Sequence, residues 1–445
     1  MFQKVLIANR GDVALRVIRA CRELNIRTVA IHSTADAEAM HVRLADESVC
    51  VGPPAAKDSY LNIPAILTAA AVTEADAIHP GLGFLAENAR FARIVGEHGL
   101  TFIGPTPHQI SMLGDKIEAK QAASAAGLPL VPGGTELIID SHAARTAARQ
   151  AGYPVLLKAA AGGGGRGMQR VEHEDSLARA FDIATSEAEA AFGDGSVYVE
   201  KAIDRPRHIE VQILGDGKGK AIHLGERDCT VQRRFQKLIE EAPSPVLTDD
   251  ERDYVGRLGA KLAASIDYRG AGTVEFLYAS GQFFFIEMNA RLQVEHPVTE
   301  FVSGVDIVEA QLQIAAGAGL NLVQDDVSPR GHAIEARINA EDPVNFAPSP
   351  GKVTLYHPPG GPGVRVDSHI FQGATVPPHY DSLVGKLIVY APDRTAALAR
   401  MARALDEYVI EGVSTNLALH RRIIQSDDFI DSRIDVVWLE RWLNA

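Results

Sequence analysis

Short apolar runs alternate with amphipathic segments along the first 113 residues, a pattern that predicts strands and helices in turn. The predicted strands are VLIAN (5–9), TVAIHS (28–33), AIHPG (77–81) and TFIGPT (101–106), and the predicted helices are residues 12–24 and 61–75. Such alternation indicates an open, mostly parallel sheet whose ligand sites gather at the carboxyl ends of the strands. The first strand-to-helix turn holds only Gly11, which does not favour dinucleotide binding.

The pattern changes after residue 113. A predicted helix (115–127) leads into LPLVPGG (128–134), which is typical of a hinge, and a compact α+β segment then runs to Ile203. Strand pairs dominate to residue 290, and strands with Gly/Pro turns follow residue 330, closed by helices at 395–410 and 414–425. We therefore predict a multidomain α/β and α+β chain divided at 1–113, 114–203, 204–329 and 330–445.

Length and composition restrict the class of protein. The chain has 445 residues, of which 46% are hydrophobic and 23% charged, as in soluble multidomain proteins. No stretch approaches the ~18 consecutive apolar residues of a membrane span, and no signal peptide is recognisable, so we expect a cytoplasmic protein without a membrane partner. The formal net charge of −13 argues against nucleic acid. Cys21, Cys50 and Cys229 lie far apart and are interpreted as small buried residues rather than as a disulfide or zinc site.

A glycine run, LLKAAAGGGGRGM (156–168), is the sharpest local motif. It matches GxGxxG at Gly162, Gly164 and Gly167, but MQRVEH (168–173) after it has the pattern of a strand, so a hairpin tip is expected rather than a strand–loop–helix fingerprint. Such a loop lets backbone N–H groups approach phosphates, and Lys158 adds a charge. The alternative is a flexible linker.

Two glutamates in residues 270–300 predict a metal site. If Ser280, Gly281 and Gln282 form a three-residue turn, Glu275 lies opposite Glu287 on one sheet face, whereas a two-residue turn sends them to opposite faces. Paired carboxylates among apolar neighbours repel unless a cation lies between them, and Asn289 offers a neutral oxygen on the same face. All-oxygen ligation suits Mg²⁺ bound to ATP phosphates.

The alternation continues through Arg291, Gln293 and Glu295 if the chain stays extended, which presents a cation, an amide and a carboxylate beyond the metal site. The alternative is a solvated strand face. Two other charged features have a functional and a structural interpretation. Residues 226–245 are either part of a site or a charged surface loop, and His208, before an apolar strand, is either a site residue or a structural histidine.

Several long stretches in order carry a resemblance to a known family. They are ANRGDVALRV (8–17), AMHVRLADESVCVG (39–52), IHPGLGFLAEN (78–88), GDKIEAK (114–120), KAAAGGGGRGM (158–168), EKAIDRPRHIEVQIL (200–214), ERDCTVQRRFQK (226–237), EMNARLQVEHPVTE (287–300) and EARINAEDP (335–343). Through them the chain resembles the biotin carboxylases of bacterial acetyl-CoA carboxylase, a family of ATP-grasp enzymes, over nearly its whole length. The resemblance implies a Rossmann-like N-terminal domain, a mobile glycine-rich lid, an ATP-grasp core and a biotin carboxylase C-terminal domain.

The resemblance also implies the site residues. ATP-binding positions are matched by Lys116, Lys158, Gly164, Gly165, Met168, Glu200, Lys201, Ala202, Ile203, His208, Gln232, Phe235, Glu275 and Glu287, and the metal ligands by Glu275, Glu287 and Asn289. Bicarbonate positions are matched by Lys237, Arg291, Gln293, Val294 and Glu295, and biotin positions by Leu82 and Arg337. Lys237, Arg291, Glu295 and Arg337 carry the implied catalysis, with Glu295 as general base.

Three positions depart from the family pattern. Leu82 stands where Tyr is usual beside the biotin pocket, Phe235 where a polar residue, often His, is common near the ribose, and Ala290 where Thr is common. Leu82 and Phe235 do not carry the implied proton or phosphoryl chemistry, so we interpret both as tuning binding, and Ala290 is a lesser change.

The implied ligands are ATP, Mg²⁺ or Mn²⁺, bicarbonate and biotin on a separate carrier protein, because the chain has no lysine motif for attaching biotin. The implied partners are the biotin carboxyl carrier protein, the carboxyltransferase subunits and a second copy in a homodimer. Acetyl-CoA is the expected acceptor, for fatty acid synthesis, with other acyl-CoA, pyruvate, 2-oxoglutarate or urea as alternatives. Rival functions are another ATP-grasp ligase and a non-catalytic paralogue that binds ATP or the carrier.

Overall fold

The structure is a computed structural model, and it describes residues 1–134, 136–138, 140–160 and 167–444, with only the backbone of Phe192. The predicted phosphate-binding residues Gly164 and Gly165 lie outside these ranges. In the described residues, no helix is both long enough and apolar enough to cross a membrane.

The first part of the chain forms a five-stranded parallel sheet in the order β3-β2-β1-β4-β5. Its elements are β1 (Lys4–Ile7), α1 (Gly11–Glu23), β2 (Arg27–Ser33), α2 (Met40–Leu44), β3 (Glu47–Gly52), α3 (Ile63–Val72), β4 (Ala77–His79), α4 (Ala89–Glu97) and β5 (Thr101–Phe102). The four predicted strands are confirmed. β3 was not predicted because it is an edge strand whose polar residues are partly exposed. Cys21 is buried as predicted, whereas Cys50 is exposed on β3, so its interpretation as a buried residue is wrong.

The second part packs helices against a small antiparallel sheet in the order β7-β6-β8. Its elements are α5 (Pro107–Gly114), α6 (Lys116–Ala125), α7 (Ser141–Ala151), β6 (Val155–Ala159), β7 (Gln169–Val171), α8 (Leu177–Phe192) and β8 (Val197–Lys201). β6 and β7 flank the glycine run and pair antiparallel, as Leu156 opposite Arg170 illustrates, so the predicted strand after the glycines is confirmed.

An eight-stranded sheet in the order β13-β12-β9-β10-β11-β14-β19-β17 forms the largest layer. The remaining elements are β9 (Arg207–Asp216), β10 (Ala221–Arg233), β11 (Gln236–Ala242), α9 (Asp249–Ser265), β12 (Arg269–Ala279), β13 (Gln282–Asn289), α10 (His296–Ser303), α11 (Ile307–Ala315), β14 (His332–Asn339), β15 (Gly351–Lys352), β16 (Leu355–His357), β17 (Val364–Ser368), β18 (Thr375–Val376), β19 (Leu383–Ala391), α12 (Arg394–Glu407), β20 (Val409–Glu411), α13 (Leu417–Ile424), α14 (Asp427–Ile430) and α15 (Trp438–Leu443). Because β11 pairs with β14, one sheet runs across the predicted boundary at 329, which remains a prediction.

The hairpin of β12 and β13 corrects the expectation that a two-residue turn sends Glu275 and Glu287 to opposite faces. Ala279 pairs with Gln282, so the turn is the two-residue alternative, Ser280 and Gly281, both with positive φ. Glu275 nevertheless pairs with Glu287, because the register shifts by one residue beside Glu275. A bulge places an extra residue on one strand and so restores the pairing that the turn alone would prevent.

A second correction concerns the segment after β13. The strand ends at Asn289, and Glu295 has φ −83° and ψ 11° at the start of α10, so the chain does not stay extended through this segment. The polar row from Arg291 to Glu295 is therefore a folded loop, and strand alternation does not explain which of its side chains meet.

Candidate active site

A cavity of about 1020 Å³ lies where the five-stranded sheet, the small sheet and the large sheet meet. Sixteen of the residues predicted for the site line it: Leu82, Lys116, Lys158, Met168, Ile203, His208, Gln232, Phe235, Lys237, Glu275, Glu287, Asn289, Arg291, Gln293, Val294 and Arg337. Glu295 lies directly behind this wall, fully buried. The structure thus brings together residues that are up to 255 positions apart in the sequence, Leu82 and Arg337 being the extremes.

A ladder of carboxylates crosses the large sheet at the cavity wall. Glu210 on β9 pairs with Glu275 on β12, which pairs with Glu287 on β13. Arg227, opposite Glu210 on β10, is wholly buried and donates to Glu210 Oε1 at 2.5 Å. His208 Nε2 lies 3.0 Å from Glu275 Oε2. Three acidic groups in one row repel one another unless cations offset them, and the surrounding basic groups supply this charge.

Lys237 is the central cation of the wall. Its Nζ donates to Glu210 Oε2 at 2.5 Å, Glu295 Oε1 at 2.7 Å and Glu275 Oε1 at 3.0 Å. Burial lowers the pKa of Lys237, but the three carboxylates outweigh burial and hold it well above its ordinary value. Three carboxylates thus converge on one ammonium group, which keeps Lys237 charged and fixed at the cavity.

Glu295 is held by cations at both of its oxygens. Lys237 donates to Oε1, and Arg337 Nη2 donates to Oε2 at 2.8 Å. Burial raises the pKa of Glu295, but Lys237, Arg337 and Arg227 outweigh it, so the pKa lies well below its usual range. The carboxylate is ionised at neutral pH and stands next to the cavity wall.

Arg337 also donates through Nε to Glu240 Oε1 at 2.5 Å, so its guanidinium bridges two carboxylates. Burial and the neighbouring Glu295 raise the pKa of Glu240 to about 7, although Arg337 opposes the rise. The bridge fixes the plane of the guanidinium group while one edge still lines the cavity.

Arg291 is oriented by three side-chain acceptors and by the main-chain carbonyl of Leu292, 3.2 Å from its Nη1. Its Nε donates to Glu87 Oε2 at 2.7 Å, Nη1 to Gln293 Oε1 at 3.1 Å and Nη2 to Asn289 Oδ1 at 3.1 Å. Glu87 also accepts from the N–H of Ala290 at 3.0 Å, so a residue after β4 orders the loop that follows β13.

The predicted ATP-binding residues from the second part separate into two groups. Lys116 and Lys158 line the cavity, with Lys116 Nζ 3.5 Å from Glu287 Oε2 and Lys158 Nζ 2.6 Å from Glu200 Oε2. Glu200, Lys201 and Ala202 lie behind the lining, and only Ile203 of that segment reaches it. Glu200 is also paired with Lys120, and Lys201 Nζ donates to the carbonyls of residues 152 and 153.

Leu82 and Phe235 differ in how far they are exposed to solvent. Leu82 is partly buried after a turn in which Gly81 has φ +64° and a Cβ would come within 2.8 Å of Asn9 Nδ2. Asn9 Nδ2 donates to the carbonyls of Pro80 and Leu82 at 2.7 Å each, so the main chain at Leu82 is fixed. Phe235 lies in the β10–β11 turn with φ +64° and 58% of its surface exposed.

Sequence reasoning missed four buried or bridging residues of this wall: Glu87, Glu210, Arg227 and Glu240. A signal existed for Glu210, because His208, Glu210 and Gln212 alternate as polar residues in an otherwise apolar strand and face the cavity side together. No comparable signal existed for Glu87, since its contact with Arg291 joins residues 204 positions apart.

Three family models match the chain in order. "Biotin carboxylase, N-terminal domain" matches residues 1–110, "Carbamoyl-phosphate synthase L chain, ATP binding domain" residues 115–323, and "Biotin carboxylase C-terminal domain" residues 335–441. The biotin carboxylase of Pseudomonas aeruginosa is 56% identical over 444 residues, which cover 100% of this chain and 99% of that protein. The chain belongs to the biotin carboxylase family. The predictions of this family, of its ATP-grasp fold and of an ATP-dependent ligase are confirmed.

Solved structures of the biotin carboxylase family agree with this one over nearly the whole chain. A biotin carboxylase–beta-gamma-ATP complex from Campylobacter jejuni is 48% identical, with a TM-score of 0.97 and 99% of each chain covered. The biotin carboxylase domain dimer of Hydrogenobacter thermophilus 2-oxoglutarate carboxylase, with MgADP, ADP and bicarbonate, is 50% identical, with a TM-score of 0.95 and 99% and 98% covered.

Proposed function

We propose that the chain carboxylates biotin on a separate carrier protein, using ATP and bicarbonate, as the first half-reaction of acetyl-CoA carboxylase. The observation that carries the proposal is the convergence of Lys237, Glu295 and Arg337 beside the paired carboxylates of Glu275 and Glu287. A basic site for an anion and an oxygen-rich metal position thus lie in one cavity, and an ionised carboxylate lies directly behind its wall. Bicarbonate activation by ATP needs each of these groups.

The residues of β12 and β13 fit a divalent cation. Glu275 and Glu287 are paired in register, both line the cavity, and Asn289 adjoins them with its Oδ1 3.1 Å from Arg291 Nη2. This all-oxygen set suits Mg²⁺ or Mn²⁺ together with ATP phosphates. The bound metal would supply positive charge to the phosphates during transfer. Lys116, whose Nζ lies 3.5 Å from Glu287 Oε2, and Lys158 add positive charge for the phosphates. Ile203 gives the adenine base of ATP an apolar surface.

The same wall gives bicarbonate its site. Lys237, Arg291, Gln293 and the main chain of Val294 line the cavity next to Glu295. Glu295 takes the proton from bicarbonate, whose oxygen then attacks the terminal phosphate of ATP to give carboxyphosphate and ADP. An anion that draws Lys237 or Arg337 away from Glu295 raises the proton affinity of this carboxylate, because those cations depress its pKa. General base catalysis of this kind contributes about 10²–10⁴-fold.

Arg337 serves the second step. Carboxyphosphate breaks down to CO₂ and phosphate, the phosphate takes the N1 proton of biotin, and the biotin enolate attacks CO₂. The guanidinium of Arg337, held flat by Glu240 and Glu295, has the geometry to stabilise the enolate oxygen. Leu82 lines the same cavity and provides an apolar contact for biotin.

The carrier protein and the carboxyltransferase subunits are proposed as partners, and the similarity to a biotin carboxylase domain dimer supports a homodimer. Acetyl-CoA is the proposed acceptor. Because one similar structure is the biotin carboxylase domain of a 2-oxoglutarate carboxylase, 2-oxoglutarate is an alternative acceptor. Pyruvate, other acyl-CoA and urea are further alternatives. A cytoplasmic location stays a prediction from the sequence.

A non-catalytic paralogue is the second candidate, and the departures at Leu82 and Phe235 are what favour it. Neither residue belongs to the network of ion pairs that joins Glu210, Lys237, Glu295 and Arg337. Every charged residue of that network is present and paired. Buried charges with this many partners are costly to keep unless they are used.

Transfer of labelled carbon tests the proposal. The chain is incubated with MgATP, ¹⁴C-bicarbonate and a biotinylated carrier domain, and label on the carrier is counted. We expect label that depends on ATP and is absent with a carrier that lacks biotin. ATP binding without label on any biotinylated carrier would support the paralogue instead.

A further inference from the structure

Lys386 is a buried cation that the proposed chemistry leaves unused. It lies on β19, directly opposite Arg337 on β14, and 1% of its side chain is exposed. An ammonium group is costly to bury unless opposite charges or hydrogen-bond acceptors surround it. The groups around Lys386 therefore indicate its role.

Oxygens from three parts of the chain surround Lys386 Nζ. Asp12 Oδ2 at the start of α1 lies 3.4 Å away, Asp367 Oδ2 on β17 lies 3.9 Å away, and the main-chain carbonyl of Val294 accepts a hydrogen bond at 2.9 Å. Burial lowers the pKa of Lys386, but Asp12, Glu335 and Asp367 outweigh it, so the group stays charged. Among the residues that the structure describes, the hydrogen bond of this ammonium group is made to the loop that carries Glu295.

Two consecutive carbonyls before Glu295 are held in this way. Gln293 O accepts from Nδ1 of His296 at 2.8 Å, and Val294 O accepts from Lys386. Within a trans peptide, a C=O and the N–H of the following residue point in opposite directions. His296 therefore orients the N–H of Val294, and Lys386 orients the N–H of Glu295. The loop between β13 and α10 has no strand pairing to fix these planes, since β13 ends at Asn289.

We propose that Lys386 is a positioning residue for the carboxylation site. By holding the carbonyl of Val294, it fixes the peptide that presents Glu295 to Lys237 and Arg337 and turns Val294 toward the cavity. The inference rests on the proposed function, because it concerns how the same site is kept in order. Through Asp12, the same lysine also ties this loop to the start of α1, which lines the cavity as well.

Lys386→Met tests the inference, because it removes the charge and the donor but keeps an unbranched chain. We expect the KM for bicarbonate to rise by about 10-fold or more, the effect of one lost charge-assisted hydrogen bond. The KM for MgATP is expected to stay within about twofold, because the donor to this loop carbonyl is Lys386 and none of the described ATP-side residues bonds to it. Hydrogen exchange of the peptide covering residues 290–296 should become faster.

Arg394→Met is the matched control. Arg394 is a mostly buried cation on α12 that pairs with Glu241 at 2.8 Å and donates to the carbonyls of Phe429 and Ile430, and it has no contact with the loop at 290–295. We expect a comparable loss of thermal stability with unchanged bicarbonate KM and unchanged exchange at 290–296. Equal changes in both variants would mean that Lys386 is merely structural, and would overturn the proposal.

Asp12→Asn serves if Lys386→Met does not fold. It keeps the lysine but removes one carboxylate that holds it, and the expected rise in bicarbonate KM is smaller, about threefold. Unchanged KM and unchanged exchange in the folded variants would refute the positioning role. The exchange measurement needs no carboxylase activity, so an enzyme without bicarbonate-dependent turnover would refute the proposed function while still testing Lys386.

Discussion

Arg337 and Glu295 form an ion pair of 2.8 Å that joins the segment matching the biotin carboxylase C-terminal domain to the segment matching the ATP-binding domain. Because Lys237 occupies the other oxygen of Glu295, this carboxylate has a cation at each oxygen. Glu295 is therefore fully ionised before substrate arrives, and its ability to accept a proton depends on what the substrates do to these two cations.

Replacing this carboxylate with an amide tests its role. Glu295→Gln keeps the shape but cannot take a proton, so bicarbonate-dependent phosphate release should fall by about 10²–10⁴-fold. Affinity for MgADP, measured by calorimetry, should change little, since Glu295 lies behind the wall. Glu226→Gln is the control: Glu226 is also buried and paired with an arginine, Arg252 at 2.8 Å, but it bonds to neither Lys237 nor Arg337. An equal fall in the control would remove Glu295 from the mechanism.

The carboxylate pair of β12 and β13 predicts a metal dependence. Glu287→Gln removes one charged oxygen donor, so the Mg²⁺ concentration that gives half-maximal activity should rise by about 10-fold, with activity partly recovered at high Mg²⁺. Titration of Mg²⁺ at fixed ATP measures this rise. An unchanged Mg²⁺ requirement would place the metal elsewhere.

Leu82 offers a gain-of-binding test. The main chain at this position is fixed by Asn9, so Leu82→Tyr changes only the side chain that faces the cavity. An aromatic face adds contact area for the biotin ring, and the KM for free biotin should fall by about threefold to 10-fold while the KM for ATP is unchanged. Leu82→Ala should raise the KM for biotin. No response of the biotin KM to either change would show that Leu82 is not at the biotin site.

The fold could be predicted from the sequence, and most of the residues predicted for the site line the cavity, because strand and helix periodicity and long motifs are local signals. The way in which Glu275 comes to lie opposite Glu287 could not be predicted from the sequence. The turn has two residues, and the carboxylates are brought together by a register shift in the strands. No local sequence pattern predicts such a shift. Glu87 and Lys386 were missed for another reason: each acts on a loop from a distant part of the chain, and such pairings follow from packing.

Acid should remove the stability contributed by a buried ion pair outside the cavity, that of Glu241 with Arg394. Burial raises the pKa of Glu241, but its hydrogen bond with His332 and the charge of Arg394 outweigh burial and lower the pKa from 4.5 to about 2. A depressed folded-state pKa means that this stability is present above about pH 4.5 and is lost as the pH falls toward 2. This lowering of the pKa corresponds to about 3 kcal/mol of stability, as an order of magnitude.

Glu241→Gln should therefore lower the free energy of unfolding at pH 7, and its deficit relative to the parent chain should shrink as the pH falls below about 4.5. Urea unfolding at pH 7, 5 and 4 measures this difference. Glu38→Gln, at an exposed glutamate, is the control and should give no pH-dependent difference. A deficit that stays constant with pH would contradict the assigned ion pair.

Phosphate release tests the central claim most directly. The purified chain is assayed with MgATP, with and without bicarbonate and with and without biotin, beside Glu295→Gln. The account predicts release that requires bicarbonate, rises with biotin and collapses in the variant. Release that is indifferent to bicarbonate, or that survives in Glu295→Gln, would contradict it.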